Sequence, residues 1–169
     1  MRKVTLINKN NKAIGESEIY EAHIKAKLHR AFSILLFNKK GEIMLQKRSK
    51  FKPIAPYLWS NTCCSHPRLN KDIQKEAKQR LKYEMGITCS LKEIFDFYYK
   101  IQYGYFTEHE IDHVFVGQFN GKPILNKKEA SDWKWASPKA IKKDLAGSPE
   151  KYTHWLKMIL DKLPKYAKK

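Results

Sequence analysis

The sequence predicts one compact domain of the α/β (α+β) class, and three observations carry that expectation. At 169 residues with 42% hydrophobic side chains, the chain can bury one core of ordinary size. Apolar runs bounded by turn residues recur in both halves, as strands do. Between them, residues 71–85 switch to a four-residue period, with Ile73, Ala77 and Leu81 on one stripe, as a helix does.

Residues 4–7 alternate like an edge strand, 8–15 carry turn residues, and 17–28 mix polar and apolar side chains without a clean period. The apolar run at 31–37, the turn Asn38-Lys39-Lys40-Gly41 and a second run at 42–47 read as a β-hairpin. Pro53 and Pro56 remove ladder donors from 50–59, which makes that stretch a loop. In the helix at 71–85, Glu76, Arg80 and Glu84 form a second, charged stripe, and Gly86 ends it. Strands follow at 94–101, 110–119 and 132–135, with Asn120-Gly121-Lys122-Pro123 turning the chain. Ser137-Pro138 supplies the cap and first turn of another helix, and a last helix is expected over 150–163. The basic tail 165–169 is expected to fray. No internal repeat or low-complexity segment interrupts this order, so residues 1–169 are read as one domain.

The net charge of +17 draws polyanions and raises a nucleic-acid reading. Its distribution argues otherwise. Only Arg2, Arg30, Arg48, Arg68 and Arg80 are arginines; the rest of the 34 basic residues are lysines spread along the whole chain. A solvated, lysine-rich surface accounts for them, and the same field suits the steering of a small phosphate-bearing substrate. No stretch approaches the roughly 18 apolar residues of a membrane span, and the first residues lack a cleavable apolar leader, so a cytoplasmic setting is expected. Cys63, Cys64 and Cys89 are odd in number and two are neighbours, which fits reduced thiols rather than a disulfide framework.

Two short segments carry the chemistry. In Trp59-Ser60-Asn61-Thr62-Cys63-Cys64-Ser65-His66-Pro67 a thiol precedes an imidazole by two residues. Glu108 and Glu110 lie two apart at an expected strand entrance, so both face one side while His109 and Ile111 face the other. Alone, such a pair reads as an exposed, charged hairpin end. His23, His29 and His66 would complete a set of three nitrogens and two oxygens able to hold a divalent ion, with Zn²⁺ or Mn²⁺ preferred over Mg²⁺. An unpaired Cys64 alone is an ordinary buried residue; beside a metal and basic groups its pKa is expected to fall. No second cysteine pair supports a zinc ribbon, and Cys64 with His66 lacks a third group to orient a nucleophile and base.

Four motifs, Leu28-His29-Arg30-Ala31-Phe32-Ser33, the Trp59 to Pro67 segment, Arg80-Leu81-Lys82-Tyr83-Glu84-Met85-Gly86-Ile87 and Glu108-His109-Glu110-Ile111-Asp112-His113, resemble the type I isopentenyl diphosphate isomerases of the Nudix superfamily. The resemblance covers residues 4–160 and implies a Nudix-type mixed β-sheet sandwiched between helices. It implies an enzyme that interconverts isopentenyl and dimethylallyl diphosphate through a tertiary carbocation, using no flavin. By that resemblance His23, His29, His66, Glu108 and Glu110 hold one divalent metal (Mn²⁺, Zn²⁺ or Mg²⁺), and Cys64 and Glu110 are the acid/base pair. Tyr99 hydrogen-bonds the catalytic glutamate and Trp155 covers the hydrocarbon. Arg48, Lys52 and Arg80 receive the diphosphate, whose Mg²⁺ binds Glu84. Such an enzyme needs a small-molecule diphosphate but no nucleic acid or membrane, and a monomer is favoured.

Four departures qualify the match. His23 and His29 are six apart, one fewer than in the family. Ile19 stands where some members carry a phosphate-binding lysine, so Lys25 or Lys27 substitutes or one contact is missing. The segment from Tyr99 to Glu108 is one residue short, which leaves Tyr98 as a competitor of Tyr99, and His154 replaces a proline. Nudix hydrolases place two adjacent glutamates after an Arg-Glu pair and two further residues. Here Gln79-Arg80-Leu81-Lys82-Tyr83-Glu84 keeps only Glu84, too few carboxylates to activate water on a phosphate.

Overall fold

A computed structural model of the chain describes residues 2–166. Its first strands, β1 (Lys3–Ile7) and β2 (Ala13–Glu18), form an antiparallel hairpin in which β2, not β1, takes the sheet edge. Residues 17–28 show no clean period because they hold the end of β2 and the short helix α1 (Ile19–Ile24). The Glu18 carboxylate starts that helix by accepting from the amides of Tyr20 and Glu21 at 2.9 and 3.1 Å.

The central strand is β3 (His29–Phe37). Along one edge it runs parallel to β8 (Phe106–Gln118), from His29↔Glu110 to Phe37↔Gln118, and β8 returns antiparallel from β7 (Leu91–Tyr103). The sheet of nine strands is therefore mixed. β7 and β8 exceed the limits expected at 94–101 and 110–119 and join in one long hairpin through Gly104 and Tyr105. Glu108 and Glu110 lie inside it, only 6% and 3% exposed, rather than at an open strand entrance.

The other edge of β3 corrects the expected 31–37/42–47 hairpin. β4 (Ile43–Arg48) meets β3 through one pair, Phe37↔Ile43, and then the strands part. Residues 59–65 fill the gap: β5 (Trp59–Ser60) pairs with β4, and β6 (Cys63–Ser65) pairs with β3. Between them the Thr62 hydroxyl accepts from the Leu36 amide at 2.9 Å and donates to the Met44 carbonyl at 2.7 Å. Asn61 Nδ2 donates to the carbonyls of Ile34 and Cys63 at 3.3 and 2.7 Å. Side chains thus satisfy backbone groups that a continuous hairpin would have paired.

Helices cover both faces. α2 (Ile73–Met85) lays Ala77, Leu81 and Met85 over Phe32, Ile34, Leu36 and Phe115; the Asp72 side chain caps its start, and Gly86, at φ 68°, ends it. On the other face α3 (Pro138–Gly147) and α4 (His154–Tyr166) cover Leu35, Leu45, Phe97 and Val114. The remaining strand, β9 (Ala130–Ala136), pairs with β4. The last helix begins at His154 instead of 150, because a 3-10 turn at Pro149–Lys151 leads into an extended stretch tied to Trp59. The Thr153 amide donates to the Trp59 carbonyl at 3.0 Å, and Tyr152 bridges Trp59. The tail expected to fray from Lys165 is helical through Tyr166, and its remainder lies outside the described residues. Among the described residues no helix is long and apolar enough to cross a membrane.

Thr62→Val keeps the shape of the side chain and strands one buried amide and one buried carbonyl. Urea unfolding is expected to register a loss of about 2–4 kcal/mol, and a loss below 0.5 kcal/mol would remove Thr62 as the bridge between β3 and β4.

Candidate active site

Register builds the centre of the site. Across β3, β8 and β7, His29, Glu110 and Tyr99 lie in one cross-strand row, and Ala31, Asp112 and Phe97 form the corresponding row two residues along. Glu110 Oε1 lies 3.1 Å from His29 Nε2 and 2.7 Å from His66 Nε2, which arrives from just beyond β6. His23, on α1, brings its Nε2 to 3.2 Å from Glu108 Oε2, with its ring 4.7 Å from that of His29. The six-residue spacing therefore still lets both rings converge. One ligand atom from each of His23, His29, His66, Glu108 and Glu110 falls within 4.8 Å of all the others.

This donor set fits a divalent cation. His23 and His29 turn Nδ1 to the carbonyls of Ile19 and Lys27 at 2.7 and 2.8 Å, which places the ring proton there and presents Nε2 inward. Two buried carboxylates facing three imidazoles call for positive charge. Burial, and then the neighbouring Glu110 charge, hold the Glu108 carboxyl above its ordinary range. Burial alone would pull His23 down, but its bond to Glu108 and the charges of both glutamates outweigh it and raise its pKa to about 9.

The cluster opens onto a cavity of about 340 Å³, which Cys64, Asp112, Arg48 and Trp155 also line. The Tyr99 hydroxyl donates to Glu110 Oε2 at 2.6 Å, whereas Tyr98 is exposed on the other face beside His109. Cys64 pairs with Ser33 in register, and Arg48 Nη1 approaches its Sγ at 3.4 Å. Burial pushes the Cys64 thiol up to about 11, and the Arg48 charge pulls it only part of the way back. Desolvation here exceeds the help of one guanidinium, and the fall expected from the sequence was for a thiol that also faces a bound cation.

Arg48 lines the same cavity as the other expected anion-binding residues but directs its donors elsewhere. Its Nε and Nη2 donate to the carbonyls of Ile54 and Ala55, and its Cζ sits 5.2 Å over the Trp155 ring. Trp155 is fixed in turn, donating from Nε1 to Ser60 Oγ at 3.1 Å and Asn61 Oδ1 at 3.0 Å. Arg80 and Lys52 do come together, 2.7 and 3.2 Å from the fully buried Glu84, and both also pair with Glu129. Lys25 and Lys27 both bind Glu21 at 2.9 Å and do not line the cavity, so neither supplies the charge missing at Ile19.

Among the cavity-wall residues not singled out from the sequence are Asp112, Glu129 and Arg2. Asp112 is buried, accepts from Ser33 Oγ at 2.7 Å and leaves Oδ1 without a hydrogen-bond partner among the described residues. Burial and the Glu110 charge push its pKa well up. Its signal was its place two residues after Glu110, on the same strand face. Glu129 and Arg2 had no signal beyond their charge.

A profile of the NUDIX domain matches residues 27–156. The chain is 42% identical over 162 residues to isopentenyl-diphosphate Delta-isomerase 2 of Aromatoleum aromaticum, covering 95% of this chain and 86% of that protein. It is 40% identical over 161 residues to the corresponding protein of Photorhabdus laumondii, covering 95% and 91%. The chain belongs to the type I isopentenyl-diphosphate Delta-isomerases of the Nudix superfamily. Its fold is shared more widely than that family. A crystal structure from Deinococcus radiodurans superposes with a TM-score of 0.81 at 14% identity, covering 95% of this chain and 98% of the other. The MutT protein of Methanosarcina mazei Go1 gives 0.69 at 17%, covering 84% and 96%.

A divalent ion that balances the five-residue cluster stabilises the folded state alone. Chelator-treated protein given Zn²⁺ or Mn²⁺ at 100 times its Kd is expected to gain about 2.7 kcal/mol, roughly 5–10 °C in Tm. His29→Asn should lose most of that gain, and an ion-independent Tm in the wild type would speak against a metal centre.

Proposed function

We propose that the chain interconverts isopentenyl diphosphate and dimethylallyl diphosphate by adding a proton at one carbon and removing one at another, through a tertiary carbocation. The observation that carries this reading is that a thiol, Cys64, and an imidazole-bound carboxyl group, Glu110, line one small cavity. Relatives 35–42% identical over nearly the whole chain bear the isomerase name.

An unactivated alkene is a weak base, so protonation needs an acid held at the carbon. Glu110, with the Tyr99 hydroxyl at 2.6 Å, and Cys64 divide the two proton transfers between them, the donor entering protonated and the acceptor ionised. One gives a proton as the other takes one, and their roles exchange in the reverse direction. The Trp155 ring stabilises the cationic carbon by about 2 kcal/mol or more in dry surroundings. Those surroundings also exclude the water that would convert the cation to an alcohol. Lys52 and Arg80 hold the diphosphate, which fixes the hydrocarbon between acid and base. Arg48 keeps the thiol and the indole in place.

His23, His29, His66, Glu108 and Glu110 would hold one divalent metal, which when bound supplies the charge that keeps Glu110 oriented; three nitrogens favour Zn²⁺ or Mn²⁺ over Mg²⁺. Glu84 suits the Mg²⁺ that accompanies the diphosphate. One domain, with its core over 4–160, contains the whole site. The three unpaired cysteines suit a reducing, cytoplasmic setting.

Purified protein with isopentenyl diphosphate and Mg²⁺ is expected to form the dimethylallyl isomer, followed by ¹H NMR. Cys64→Ala and Glu110→Gln should each lower kcat by about 10²–10⁴-fold with the far-UV spectrum unchanged. Release of inorganic phosphate in place of the isomer would favour a hydrolase.

A further inference from the structure

We infer that Arg2 is a substrate-binding residue whose guanidinium completes the anion-binding end of the cavity by contacting the diphosphate. For the identity of its ligand the inference rests on the isomerase reading above.

The first argument is charge. Lys52 and Arg80 are each bound to both Glu84 and Glu129, so two cations already face two carboxylates. That group offers a multiply charged anion no surplus. Arg48 adds little there, since its donors go to two backbone carbonyls and a sulfur. Arg2 also lines the cavity, and among the described residues it has no carboxylate within ion-pair distance. Its guanidinium donates to the neutral hydroxyl of Ser65, between Cys64 and His66 in the chain.

The second argument is placement. The Arg2 carbonyl accepts from the Ile19 amide at 3.0 Å, and Lys3 begins β1, so the backbone is fixed on both sides of this exposed rim residue. From there the guanidinium feels the diphosphate-binding group. Desolvation and then the Arg80 charge pull its pKa down, while Glu84 and Glu129 pull it up. Two guanidinium groups that repel across one cavity are brought into balance by an anion between them, and each offers the forked donors that suit phosphate oxygens.

The test compares wild type with Arg2→Met, Arg2→Gln, Arg2→Lys and Lys9→Met, the last removing an exposed charge outside the cavity. The readouts are KM for isopentenyl diphosphate and calorimetric affinity for inorganic pyrophosphate. Loss of one charge-assisted contact should weaken both by about tenfold in Arg2→Met and Arg2→Gln. KM should rise by more than kcat falls, Arg2→Lys should recover part of the loss, and Lys9→Met should match wild type. Arg2→Gln keeps a donor toward Ser65, so equal losses in the two neutral variants identify charge rather than a fold defect. Wild-type values in both, or an equal loss in Lys9→Met, would overturn the inference. A wild type without isomerase activity would overturn the substrate, and the pyrophosphate titration would still judge Arg2.

Discussion

One hydroxyl group keeps β3 and β4 apart, and the site follows from that separation. Thr62 gives Leu36 and Met44 the hydrogen bonds they would have exchanged across a closed hairpin, so the strands diverge without stranding buried polar groups. The opening admits β6, which sets Cys64 against Ser33 and carries His66 to Glu110. It also admits Ser60 and Asn61, whose oxygens hold the Trp155 indole. Thiol, imidazole and indole thus owe their positions to the insertion of residues 59–65. Arg80 from α2 and Trp155 from α4 line the same cavity, which therefore joins the two helical layers through the gap.

Charge in this molecule operates on two scales. The +17 surplus sits largely on dispersed lysines and provides a long-range field that attracts anions and weakens with salt. Inside, charges come in small groups: two carboxylates among imidazoles that suit a divalent cation at one end, and Glu84 and Glu129 balanced by Lys52 and Arg80 at the other. Between these groups lie the Cys64 thiol and the Trp155 ring, with the Arg48 guanidinium as the one charge beside them. That division suits a substrate with an ionic head and a hydrocarbon tail.

Local signals were legible where local physics fixes the structure. The stripe of Ala77 and Leu81, with Gly86 at its end, marks α2 because packing and left-handed termination act within a few residues. The residues of the His/Glu cluster could be named because four separated motifs resemble one family; taken alone, the Glu pair reads as an exposed hairpin end. The failures lie where distant parts meet. Periodicity cannot show that a threonine from another segment replaces ladder bonds, so two apolar runs read as a closed hairpin. Nor does it show that Tyr152 and Thr153 are drawn out along Trp59, which delays α4. The burial that pushes the Cys64 thiol up, and the carbonyls of Ile54 and Ala55 that hold Arg48, likewise belong to the finished fold.

The row of His29, Glu110 and Tyr99 restricts how the gene can change length. Side chains on a strand alternate between faces, so one codon added between Glu110 and the end of β8 would break its match to β3, and one added between Tyr99 and the hairpin tip must be absorbed before the row is reached. Around Gly104 and Tyr105 the chain can take up such changes without rotating any member of the row. Descendants of this protein are thus free to grow or shrink at the outer end of that ribbon, while its inner half keeps a fixed count.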